Sequence, residues 1–180
     1  MQRTRVFGSV HGLDPIHMNM DTPGARLRER LAASEITAFI GVHDVFSARV
    51  AARHRDALFI SGFGVTASHL GLPDHGYVSA PDLLDLVRRV RAVLPDPHLL
   101  VDIDDGFADP AVAAHTVRAL ERVGASGIVL EDQARPRRCG HLDGKRILPL
   151  AEYLDKLRSV LAARRSLFVV ARTDASDPDD

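Results

Sequence analysis

One cysteine, Cys139, is all the thiol chemistry available to this 180-residue chain. An intrachain disulfide framework is excluded, and a reducing compartment fits. An excess of charge of either sign is also missing. The 23 Lys and Arg against 24 Asp and Glu leave a formal net charge of -1, with the arginines spread along the predicted helices. No long-range field favours nucleic acid or an anionic membrane surface, so neither is expected as a partner. Long apolar runs are absent too: none approaches the roughly 20 residues that span a bilayer. Met1-Gln2-Arg3-Thr4-Arg5 leads into no apolar signal core. A cytoplasmic location is the expectation. What is present, 46% hydrophobic and 26% charged residues, suffices for a real core without staples and reads as one globular unit.

Residues 1–36 form an N-terminal lead-in without clear periodicity, apart from a short helical stretch from Ala25 to Ala33. Over residues 37–180 a βα rhythm sets in. Strands are predicted at Thr37–Gly41, Ala57–Ser61, His98–Asp102, Ser126–Glu131 and Leu167–Arg172. Between them helices are predicted through Ala48–Arg53, near Ala67, and over Pro81–Val93, Pro110–Val123 and Leu150–Ala163. Short, near-continuous apolar strands are those buried on both faces of a parallel sheet. Pro81 and Pro110 suit a helix's first turn, and Gly124 suits the position after a helix end. The fold class is α/β with parallel strands.

Each apolar run finishes on residues that can do chemistry. The third closes on Val101-Asp102-Ile103-Asp104-Asp105-Gly106. Side chains alternate along a strand, so carboxylates two apart point to one side. Two oxygen donors on one side begin a hard-cation site, for Mg²⁺ or Mn²⁺. An isolated Asp-x-Asp is more often a solvated turn, but Ser61, Glu131 and Arg172 close the neighbouring runs. A closed barrel gathers catalytic groups from the C-terminal ends of many strands, whereas an open sheet concentrates them at one crevice. The barrel is favoured, with five of its eight strands in view. Gly62-Phe63-Gly64-Val65-Thr66-Ala67 formally matches a dinucleotide-binding turn. Its helix meets Pro73 within about two turns, and no acidic residue closes the next strand at the spacing a ribose requires.

Seven segments occur in order: Gly41-Val42-His43-Asp44-Val45-Phe46-Ser47-Ala48-Arg49, Ser61-Gly62-Phe63-Gly64, Gly71-Leu72-Pro73-Asp74, Val101 to Phe107, Glu131-Asp132-Gln133, Pro136-Arg137-Arg138-Cys139-Gly140-His141 and Ala171-Arg172-Thr173-Asp174-Ala175. Together they resemble the isocitrate lyase and phosphoenolpyruvate mutase superfamily. The resemblance implies a (β/α)8 TIM barrel of which the first five βα units are present. It also implies bound Mg²⁺ or Mn²⁺, a 2-oxo acid or carboxylate substrate, and the making or breaking of a C–C or P–C bond through an enolate. Homo-oligomers, usually tetramers, are the family's habit. Asp102, Asp104 and Glu131 would hold the ion, one Asp directly and the others largely through its water shell. Ser61, Gly62, Phe63, Gly140, His141 and Arg172 would bind substrate oxygens, with Arg172 clamping a carboxylate and Asp74 orienting groups nearby. Residues 135–145 would form a lid whose Cys139 protonates the nascent enolate.

Cys139-Gly140 stands where phosphoenolpyruvate mutases have Asn-Ser, which points away from that activity and towards methylisocitrate lyase-like or carboxyphosphonoenolpyruvate mutase-like enzymes. Arg137 replaces the usual lid Lys, and Ala108 replaces a Gly beside the metal turn, where a positive φ would strain it. A second function class is a non-catalytic partial barrel that serves as an interaction or oligomerisation module, since open sheet edges invite self-association.

Overall fold

The computed structural model describes residues 21–175. Residues 1–20 of the lead-in and the last five residues lie outside the described part. Five strands, β1 Ile40–Val42, β2 Ala57–Ile60, β3 His98–Asp102, β4 Gly127–Glu131 and β5 Phe168–Arg172, pair in parallel in the order β1-β2-β3-β4-β5. Ile60 lies beside Val101, Val101 beside Ile128 and Ile128 beside Val169. A doubly wound sheet reverses its strand order at a switch point, and a barrel wall does not. The sequential order makes this sheet an arc of barrel wall, and the open-sheet alternative falls.

The helices are α1 Pro23–Ala32, α2 Val45–Ala51, a single turn α3 Gly62–Val65 that runs into a π-helical turn Thr66–Leu70, then α4 Ala80–Val93, α5 Pro110–Arg122 and α6 Leu150–Ala163. Their ends follow from side-chain chemistry. Asp109 accepts hydrogen bonds from the Ala111 and Val112 amides, both at 2.9 Å, and Pro110 opens α5. Gly124, at φ 94°, closes it while Ala125 N–H reaches back to Leu120 O at 3.0 Å. Helix α2 starts three residues before the sequence reading because Asp44 and Ser47 cap each other, with Ser47 N–H on Asp44 Oδ1 at 2.6 Å. Strand β1 starts at Ile40 rather than Thr37, where its pairing with Leu58 begins.

Leu58, Ile60, Leu99, Val101, Ile128 and Leu130 are fully buried on one face of the sheet, against Leu86 and Val90 of α4, Val117 and Leu120 of α5 and Val160 of α6. Each such side chain stabilises by about 1.5–3 kcal/mol. Burial on both faces, expected for all strands, holds for β4 but not for β5, none of whose residues is fully buried. On the alternate face Phe59, Leu100 and Val170 stay half-buried. Helix α1 covers the start of the strands: Leu27 is fully buried, and the Arg28 guanidinium lies 5.9 Å from the Phe168 ring centre. Among the described residues no helix is long and apolar enough to cross a membrane.

Candidate active site

The C-terminal ends of four strands carry the expected groups to one rim. Asp102, Glu131 and Arg172 are the last residues of β3, β4 and β5, and Ser61 follows β2. Glu131 and Arg172 are register partners. Asp102 and Asp104 do converge, although not by strand alternation. The strand ends at Asp102, and Asp104 sits in the left-handed region at φ 50°. Its amide donates to Asp102 Oδ1 at 3.2 Å, and its carbonyl accepts from Glu131 N–H at 2.8 Å. A side chain at Gly62 would place its first carbon 3.2 Å from Asp104 Oδ1 and 3.5 Å from Asp102 Oδ2. Gly62 therefore lets the first turn of α3 approach two carboxylates, a setting hostile to a pyrophosphate. Positive φ falls on Asp104, Gly106 and Phe107 and not on Ala108, so the strain expected at Ala108 does not arise.

Arg137 organises the centre of this rim. Its side chain is 2% exposed, and it contacts Asp74 Oδ1 at 2.5 Å, Glu131 Oε1 at 2.9 Å and Asp104 Oδ1 at 3.3 Å. Arg172 pairs with Asp174 through two bonds of 2.9 and 3.0 Å and comes within 3.7 Å of Glu131 Oε2. Gln133 donates to Asp174 Oδ2 at 2.6 Å and holds the Arg138 peptide on both sides, at 2.9 Å each. Asp132 Oδ1 accepts from the Asp174 amide at 2.9 Å.

Burial pushes the Glu131 carboxyl up to about 7, against the pull of Arg137 and Arg172. Burial also raises Asp102 despite Arg172, and raises Asp104 well above the usual range with the Asp102 charge adding to it. Among the described residues no three carboxylate, imidazole or thiolate side chains close into a set of direct ligands. The chemistry of the donors nonetheless fits a hard cation held partly through water. All are oxygen, all are buried, and Asp104 Oδ1 and Glu131 Oε2 accept no hydrogen bond.

The segment after β4 leaves and returns beside itself. Ala134 N–H donates to Arg146 O at 2.7 Å, and Leu148 N–H to Asp132 O at 2.8 Å. Between them Cys139 is half-buried and His141 is exposed, as is Phe63 across the rim. Gly140 is buried where an added carbon would collide with Arg172 Nη2 and lie 2.7 Å from Asp174 Oδ2. Lys145 Nζ donates to Gly140 O at 3.0 Å. Ser61 caps α3, accepting from Gly64 N–H at 3.1 Å.

Sequence reasoning gave no role to Gln133 or Asp174, although both stand in the quoted motifs, and it noted Arg137 as a lid residue in place of the usual Lys. Their importance lies in burial and pairing across 41 positions of chain for Gln133 with Asp174 and 63 for Arg137 with Asp74. Tyr153 was missed as well. Its hydroxyl on α6 lies 2.7 Å from Leu130 O and 3.1 Å from Arg172 O and shares its one proton between two strand ends.

A family model described as phosphoenolpyruvate phosphomutase matches residues 27–178. The chain belongs to that family. Within it, the chain is 37% identical over 157 residues to 2-methylisocitrate lyase of Aeropyrum pernix, covering 87% of this chain and 50% of that protein. It is 39% identical over 152 residues to 2-methylisocitrate lyase of Bacillus subtilis, covering 83% and 50%. An oxaloacetate acetylhydrolase solved with the inhibitor 3,3-difluorooxalacetate superposes with a TM-score of 0.81 at 37% identity, over 86% of this chain and 54% of that one. A phosphonopyruvate hydrolase solved with oxalate and Mg²⁺ gives 0.76 at 27%, over 86% and 53%. The chain spans about half the length of these relatives, which fits the five strands of a phosphoenolpyruvate phosphomutase-type barrel.

Proposed function

We propose that this chain carries the cation- and substrate-binding rim of a methylisocitrate lyase-like enzyme, a cytoplasmic Mg²⁺-dependent C–C lyase acting on a 2-oxo acid or its enolate. The convergence of Asp102, Asp104 and Glu131 with Arg172 at adjacent strand ends carries the reading. Asp102, Asp104 and Glu131 would hold the cation, one Asp directly and the others largely through its water shell. A bound divalent cation supplies stabilisation of the negative charge that cleavage leaves on the 2-oxo acid fragment.

The protein's own groups do the rest. Arg172, held flat by Asp174, presents a planar fork to a substrate carboxylate. The Gly62 and Phe63 amides, in the first turn of α3, have no intrahelical acceptor and are available to substrate oxygens. Gly140 keeps the loop close to Arg172, and Cys139 beside it delivers a proton to the enolate carbon. Asp74 holds Arg137, and His141 closes over the substrate when the loop covers the site and excludes water. Residues 37–180 form the catalytic part and residues 1–36 its lead-in.

Turnover of 2-methylisocitrate, oxaloacetate and phosphonopyruvate with Mg²⁺, by a version carrying all eight strands, tests this. Cleavage of a C–C substrate that vanishes in Cys139→Ser while oxalate still binds is expected. No turnover of any of the three contradicts the reading, and unchanged turnover in Cys139→Ser removes the cysteine's role.

A second reading has its own observation. Phe59, Leu100 and Val170 are half-exposed, and among the described residues β1 and β5 each pair on one side only. Such a surface suits a non-catalytic module that associates with further copies, and tetramers are the family's habit. Size-exclusion chromatography with a turnover assay separates the two: oligomers without turnover favour the module.

A further inference from the structure

Helix α6 turns three residues into the core, Tyr153, Lys156 and Val160. Only Val160 is plain hydrocarbon. Tyr153 and Lys156 lie one turn apart in the first half of the helix, and both carry polar ends to main-chain carbonyls of the rim. The Tyr153 hydroxyl meets Leu130 O at 2.7 Å and Arg172 O at 3.1 Å. The first of these carbonyls shares a rigid peptide plane with the Glu131 nitrogen, and the second belongs to Arg172 itself. Lys156 Nζ donates to Asp105 O at 2.8 Å, one residue beyond Asp104. Burying an ammonium group is costly, and an apolar side chain of similar length would fill the place without that cost. One face of one helix thus touches the three chain segments that carry Asp104, Glu131 and Arg172.

We infer that Tyr153 and Lys156 are positioning residues, and that α6 sets the spacing of the rim's charged groups by holding their main chain. The inference deepens the reading of the rim as a cation and substrate site, on which it rests. Two features call for such a hold. Asp104 at φ 50° and Phe107 at φ 72° are non-glycine residues in the left-handed region, a conformation that persists only where surrounding contacts over-determine it. The turn they shape is pinned by Lys156 at Asp105 O and by the Glu131 amide at Asp104 O, each at 2.8 Å. Glu131 and Arg172 are register partners on neighbouring strands, so a hydroxyl shared between the two strand ends fixes how far apart their side chains start. Tyr153 therefore acts on the β4–β5 pair, where Arg172 would take a substrate carboxylate. Lys156 acts on the turn, where Asp104 would take the cation.

Two titrations of the 180-residue chain separate these actions without any need for turnover: Mn²⁺ binding followed by electron paramagnetic resonance, and oxalate binding at saturating Mn²⁺ followed by calorimetry. Lys156→Met removes the ammonium group and keeps an unbranched buried side chain. Loss of a positive charge alone would tighten Mn²⁺ binding. The expected weakening, by about threefold or more, therefore reports a displaced turn. Tyr153→Phe changes neither the charge nor the ring. It should weaken oxalate binding by about threefold or more, with Mn²⁺ affinity much less altered. It also decides the matter if Lys156→Met does not fold. Glu121→Gln, which loosens the turn before β5 at the far end of the strand from the rim, should leave both affinities at wild-type values. Tighter or unchanged Mn²⁺ binding in Lys156→Met, unaltered oxalate affinity in Tyr153→Phe, or equal losses in Glu121→Gln would overturn the inference and leave the reading of the rim standing. No binding of Mn²⁺ or oxalate by the wild type would overturn that reading, and the inference with it.

Discussion

Arg135 grips Asp105 through two parallel hydrogen bonds, Nε to Oδ2 at 2.7 Å and Nη2 to Oδ1 at 2.8 Å. The first residue belongs to the loop after β4 and the second to the acidic turn after β3, so the pair ties the root of the loop to the turn that bears Asp104. Asp105 is 1% exposed, and its carbonyl also accepts from the buried Lys156 Nζ at 2.8 Å. A two-pronged guanidinium–carboxylate pair fixes angle as well as distance.

Asp105→Asn should therefore loosen the loop root. The variant keeps the volume but loses the charge that holds both prongs. Hydrogen exchange across residues 135–146 is expected to speed up while the α5 and β4 amides stay protected. Equal protection across 135–146 in both proteins would mean the loop is held from elsewhere.

Glu121 presents a separate test, remote from the rim. Its carboxylate accepts the amides of Arg165 at 2.8 Å, Ser166 at 2.6 Å and Leu167 at 2.8 Å, shaping the turn that feeds β5. Burial would raise this carboxyl, but the backbone N–H groups outweigh it and hold it below the ordinary value of 4.5. A depressed carboxyl adds stability above the unfolded-state value and loses it as pH falls through the folded one. Glu121→Gln should cost about 1–2 kcal/mol near neutrality, allowing for its partial exposure. In thermal melts the gap to wild type should shrink as pH drops below 4.5. A gap that does not change with pH would assign the effect to packing.

Gly140→Ala places a carbon against Arg172 and Asp174. Overpacking of this kind costs roughly 1–3 kcal/mol. Oxalate affinity should fall by about tenfold or more, the equivalent of 1.4 kcal/mol at the low end of that range. Fluorescence-detected or calorimetric titration reads this directly. Unaltered affinity would show that Gly140 does not set the position of Arg172.

Much of the fold was legible because its signals are local. Asp109-Pro110 and Gly124 mark the ends of α5, and runs such as Leu99-Leu100-Val101 announce buried parallel strands. Asp44 and Ser47 carried a local signal as well, a reciprocal cap that sets the start of α2. The rim was legible as a set of strand-end residues. Its internal wiring was not, because pairs such as Arg137 with Asp74 and Gln133 with Asp174 depend on which loops the folded sheet brings together. Asp104 is instructive: its convergence with Asp102 was expected from pleat alternation, and it arises from a left-handed turn instead. Spacing reported that the two carboxylates meet and concealed how.

The central claim is that Asp102 and its neighbours form a cation-dependent site for a 2-oxo acid. Calorimetric titration of oxalate into the chain, with and without Mg²⁺, in wild type and in Asp102→Ala, addresses it most directly. Oxalate should bind the wild type only when Mg²⁺ is present, and should not bind Asp102→Ala at the same concentrations. Binding that is indifferent to Mg²⁺, or equally tight in Asp102→Ala, would contradict the claim.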